Sequence, residues 1–144
     1  MSRSGDWYKA LRESDPESYR QLMDKKYASR VEQLNSDPTK FTRMKYTKQR
    51  NGAKDRKLEW DLTADQVHDL IIKNECCELS GRPLMLEVNH VDGASIDRID
   101  NSRGYFIDNV QVTSQQINKA RGTMTIDEFV EMCRQVADFH SSTN

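Results

Sequence analysis

The chain lacks a long apolar run, has few cysteines and is poor in apolar residues, and each shortage excludes a class of protein. None of its 144 residues belongs to an apolar stretch near the ~20 residues that cross a bilayer, so neither a membrane span nor a membrane partner is expected. The opening residues, MSRSGDWYKALRES, hold no apolar segment that could form a signal-peptide core. A soluble, cytoplasmic protein is the expectation. The three cysteines are Cys76, Cys77 and Cys133; the odd count and the adjacent pair make a poor disulfide framework, and reduced thiols are the simpler reading. No structural zinc is expected, because Ser80 stands where a second Cys would complete the C-x-x-C begun at Cys77. Apolar residues make up 35% of the chain against 31% charged, which implies a lean core of single-domain size.

A formal net charge of −1 argues against a uniformly basic nucleic-acid coat, but the charge is unevenly placed. Residues 1–58 carry 15 Lys and Arg against 8 Asp and Glu, net +7. Residues 59–144 carry 7 against 15, net −8. A basic half joined to an acidic half points to a polyanion grip attached to something else. The basic set is densest over 39–57, where Lys40, Arg43, Lys45, Lys48, Arg50, Lys54, Arg56 and Lys57 face a single Asp. A charge run of this kind is commonly a solvated helix face. Its density, interleaved with Phe41 and Tyr46, favours contact with phosphates.

Local signals mark the elements. Asp15-Pro16-Glu17 predicts a helix of about five turns, with Tyr19, Leu22, Met23, Tyr27, Val31 and Leu34 near helical spacing. That helix either packs on the rest of the chain or pairs with a second copy, so a homodimer through the N-terminal helices is one arrangement left open. Asp37-Pro38 starts a second helix, bearing Phe41, Met44 and Tyr46, that breaks near Asn51-Gly52. Residues 58–62 alternate as a short strand. Thr63 and Gln66 form a capping box for a helix with Val67, Leu70 and Ile71 on its apolar side and His68 exposed or at the core edge. Thr125 and Glu128 form another, opening a C-terminal helix to about residue 140. Its stripe of Phe129, Met132, Cys133, Val136 and Phe139 is expected in the core, with His140 in a frayed tail.

Residues 94–122 read as strand, loop, strand and helix: 95–99, a loop over 100–109 punctuated by Gly104, 110–112, and a helix capped by Thr113 or Ser114 that ends at Gly122. Gly104 is expected to supply a positive φ. Such a unit is small enough to hold one cation between strand and helix. Asp97 on the strand and Asn118 on the helix both offer oxygen, the donor that Mg²⁺ favours. A carboxylate between Ile96 and Ile99 needs a partner or an ion.

These residues also carry a resemblance. Ser95-Ile96-Asp97-Arg98-Ile99-Asp100, Gly104-Tyr105, Asn109-Val110 and Asn118-Lys119 occur in order, preceded by Cys77, Ser80, Gly81 and Leu84. The series resembles the ββα metal finger of phage-encoded HNH endonucleases, over roughly residues 53–139. The resemblance implies an α+β fold: a helical, basic extension over 1–57, then a nuclease domain over 58–144 with its finger at about 94–122 and a C-terminal helix at about 125–140. It implies a Mg²⁺- or Mn²⁺-dependent enzyme that hydrolyses phosphodiester bonds in DNA, in the cytoplasm of a bacterial host. Asp97 and Asn118 would hold the metal and Asn109 would brace the loop. Lys119, Arg121 and the basic set of 39–57 would hold the nucleic-acid backbone.

One position departs from the family. Arg98 stands where the general-base histidine would be, and a guanidinium cannot accept a proton at neutral pH. Arg98 could instead grip the scissile phosphate, or Asp100 or His90 could be the base. Alternatively, the finger is catalytically silent and only binds nucleic acid or a protein.

Overall fold

The computed structural model describes residues 3–142. Three helices come first: α1 (Arg3–Ser14), α2 (Pro16–Asn35) and α3 (Pro38–Asp55). Then follow α4 (Ala64–Lys73), β1 (Ala94–Arg98), β2 (Val110–Ser114), α5 (Gln115–Arg121) and α6 (Ile126–Ser141), with a 3₁₀ turn at Ile107–Asn109. The protein is thus a mixed α+β fold, six helices around a two-stranded antiparallel sheet among the described residues.

The helix starts lie where short polar side chains satisfy the first amides. Asp15 Oδ1 accepts from Ser18 N at 3.1 Å and Asp37 Oδ1 from Thr39 N at 2.9 Å, each followed by Pro in the first turn. The expected capping boxes close in both directions, Thr63 with Gln66 and Thr125 with Glu128. Of the two candidates for α5, Ser114 is the cap, accepting from Ile117 N at 3.2 Å.

β1 and β2 pair in the register Ala94↔Ser114, Ser95↔Thr113, Ile96↔Val112, Asp97↔Gln111 and Arg98↔Val110. Alternation divides the ribbon into two faces. Ala94, Ile96, Val110 and Val112 enter a core with Phe41 and Ala53 of α3, Leu62, Val67 and Ile71 around α4, and Tyr105. Ser95, Asp97, Gln111 and Thr113 form the other face, over which α5 lies. Both outer edges are closed by side chains. Gln49 of α3 donates to Ile96 O at 2.6 Å and accepts from Ile96 N, while Glu78 accepts from Val112 N. Such closure satisfies edge amides that would otherwise invite another strand.

Several expectations need correction. The helix bearing the basic set does not break at Asn51-Gly52 but runs to Asp55, because fully buried Ala53 ties its last turn to the core. Through Phe41 and Ala53, α3 packs into the same core as the hairpin. Residues 58–62 form no strand. They make one bridge, Trp60 with Tyr105, and Tyr105 N donates to Glu59 O at 2.9 Å. Gly104 has no positive φ; a Cβ there would lie 2.5 Å from Glu59 O, so close backbone approach is what requires glycine. In the stripe of α6 only Phe129 is buried, and Met132, Cys133, Val136 and Phe139 are exposed, because no other element packs broadly on that helix among the described residues. His140 lies within α6, not in a frayed tail. α2 buries no residue along its length.

Candidate nucleic-acid interface

Asp97 is 5% exposed, and its carboxylate is taken up by Arg121 from α5. Arg121 Nη2 donates to Oδ1 at 2.7 Å and Nε to Oδ2 at 3.0 Å, and Gln111 Nε2 donates to Oδ2 at 3.1 Å. The rest of the guanidinium bonds Met124 O, Arg98 O and Asn101 Oδ1. Arg121 is 0% exposed, so it cannot serve as the phosphate contact expected of it. The sequence argument that Asp97 needs a partner or an ion holds, with a partner from this chain.

The other expected residues are placed as follows. Asn118 Nδ2 donates to Ser95 Oγ at 3.0 Å, across from α5 to β1. Arg98 Nη1 donates to the carbonyls of Asn101 and Arg103, each at 2.8 Å, and its guanidinium lies over the Tyr105 ring; it shapes the loop between the strands. Asp100 Oδ1 accepts from Ser102 N at 2.8 Å and Oγ at 2.7 Å, and Ser102 holds its pKa below the ordinary carboxylate value. That shift makes it a poorer base. His90 Nδ1 accepts from Asp92 N at 3.0 Å, a bond within its own loop. Asn109, 1% exposed, has the geometry of a brace. Its Nδ2 donates to Asp100 O at 3.0 Å and Gly104 O at 2.9 Å, and its Oδ1 accepts from Asp100 N at 2.9 Å.

The divalent cation implied by the resemblance does not fit this arrangement. Both oxygens of Asp97 are occupied, and its charge is neutralised by Arg121. Asn118 lines a cleft in which Lys45, Lys48, Arg56 and Lys119 meet and to which no carboxylate contributes. Four basic side chains oppose a metal cation and favour an anion. Among the described residues no three His, Cys, Asp or Glu are grouped to hold a metal.

The basic set of 39–57 separates into two directions. Lys45, Lys48, Gln49, Gly52 and Arg56 line the cleft between α3 and α5, whereas Arg43, Arg50, Lys54 and Lys57 do not. Lys40 reaches Asp37 at 4.0 Å. Arg56 is fixed by Nε on Gly52 O at 2.9 Å and Nη2 on the Tyr105 hydroxyl at 3.0 Å. Gln49 and Tyr105 were not singled out as site residues from the sequence. The period linking Gln49 to Lys45 and Arg56 was the available signal.

No family model matches the chain, and no solved structure does. The chain is similar to an uncharacterized protein of Acanthamoeba polyphaga mimivirus, 27% identical over 141 residues that cover 90% of this chain and 24% of that protein. It therefore spans about a quarter of the relative's length. No helix among the described residues is long and apolar enough to cross a membrane.

Proposed function

We propose that this chain is a nucleic-acid-binding protein, built on an HNH-like ββα finger formed by β1, β2 and α5, that grips the phosphate backbone of DNA with α3. One observation carries the reading. α3 presents six Lys and Arg in 18 residues, and only Lys40 among them forms an ion pair with a carboxylate among the described residues. Cations left without acids on a helix pinned to the finger by Gln49 suit a polyanion, and backbone contacts of this kind give affinity without sequence readout. The finger then serves as a frame. Its carboxylate is spent on Arg121, and Arg98 and Asn109 hold the loop.

Metal-dependent cleavage of the bound strand is the second reading. It is favoured by Asn118 and Asp97 meeting one strand face, Asn118 bonding Ser95 two residues from Asp97. Supercoiled plasmid separates the two. Retarded migration of the plasmid, with no relaxed or linear product in Mg²⁺, Mn²⁺ or EDTA, is the expected result. Product formed with a divalent ion and abolished by EDTA establishes the nuclease. No retardation and no product removes both readings.

A further inference from the structure

We infer that the cleft between α3 and α5 is a seat for one backbone phosphodiester of a nucleic-acid strand, with Lys45 at its floor and Lys48, Arg56 and Lys119 around it. This deepens the nucleic-acid reading and rests on it. The cleft encloses about 280 Å³. Lys45 is 7% exposed, yet no carboxylate pairs with it among the described residues; its Nζ lies over the face of Phe41, 5.3 Å from the ring centre. A lysine this deep ordinarily has an anionic partner.

The groups facing Lys45 are all neutral or positive. Lys48 and Arg56 come from its own helix, Lys119 from α5 and the Tyr105 hydroxyl from the loop before β2, and no Asp or Glu lines the space. Burial first, then Lys48 and Lys119, lower the Lys45 pKa to about 8. A bound anion would offset the repulsion from Lys48 and Lys119 and give the buried ammonium the opposite charge it lacks. The walls are held in place: Arg56 is tied to Tyr105 and Gly52, Asn118 to Ser95, and Gln49 to β1. A rigid set of donors loses little freedom on binding.

The experiment titrates the ¹⁵N-labelled full chain with inorganic phosphate and measures binding of a fluorescein-labelled DNA duplex by anisotropy. The variants are Lys45→Gln, Lys119→Gln (an exposed position, so folding is preserved) and, as a control on another face, Lys73→Gln of α4. Saturable shifts at the Asn118 side-chain amide and neighbouring α5 amides are expected. They should be lost in both cleft variants and kept in the control, with duplex affinity falling roughly tenfold in each cleft variant. Wild-type duplex affinity in both cleft variants would overturn the seat while leaving the nucleic-acid reading intact. Phosphate shifts at the cleft in a chain that binds no duplex would overturn that reading, and with it the identity of the ligand.

Discussion

Arg121 closes a two-pronged, fully buried ion pair on Asp97, with Nη2 2.7 Å from Oδ1 and Nε 3.0 Å from Oδ2. The pair joins the last turn of α5 to the middle of β1. Removing one member leaves the other buried and unpaired, at a cost of about 3–5 kcal/mol. Asp97→Asn and Arg121→Met should each lose stability on that scale in urea denaturation. The double variant Asp97→Leu/Arg121→Met should lose less than either single change, because it buries no orphaned charge.

The unit of β1, β2 and α5, closed by the Arg121 guanidinium, is expected to fold without a metal. Addition of EDTA to the purified chain, or of millimolar Mg²⁺ to the EDTA-treated chain, should leave the thermal midpoint unchanged. A metal that stabilised the folded state at 100 times its Kd would add about 2.7 kcal/mol, a shift of several degrees that calorimetry resolves readily.

Gly104 and Gly81 call for glycine for different reasons. At Gly104 a Cβ meets the Glu59 backbone oxygen at 2.5 Å, and that backbone is itself held by the Tyr105 amide. Gly104→Ala should therefore cost about 2–3 kcal/mol through steric displacement. Gly81 has φ +70 with open space around it, so Gly81→Ala should cost only about 1 kcal/mol. Equilibrium unfolding of the two variants gives the comparison.

What was legible in the sequence was mostly local. Asp15, Asp37, Ser114 and the two capping boxes bond amides two or three residues away, so their helices could be read one residue at a time. Features decided by distant packing were not legible. Whether α3 ends at Gly52 depends on the core that receives Ala53, and whether the α6 stripe is buried depends on a partner layer that the described residues do not supply. The partner of Asp97 lies 24 residues away on another element, where Lys119 and Arg121 looked alike in the sequence. One now lines the cleft and the other is wholly inside.

Lys45 gives the protein a pH signature. Its folded pKa, about 8, lies below the ordinary lysine value of 10.5, so between these the folded state binds fewer protons than the unfolded state and stability rises with pH. Relative to Lys45→Met, the wild type should gain up to roughly 3 kcal/mol from pH 8 to 10.5. Urea midpoints of the two proteins across that range give the difference directly. Affinity for phosphate should weaken over the same interval as the ammonium is lost, because Lys48, Arg56 and Lys119 alone then face the anion.

The central claim is that α3 holds a nucleic-acid backbone. Anisotropy of a labelled duplex, measured over a series of NaCl concentrations, tests it most directly. The logarithm of the association constant should fall linearly with the logarithm of salt, with a slope near −0.9 for each phosphate held. The slope should become shallower by roughly one for each contact removed in Arg43→Gln, Arg50→Gln and Lys54→Gln. A duplex affinity indifferent to salt, or a slope unchanged by all three substitutions, would contradict the claim.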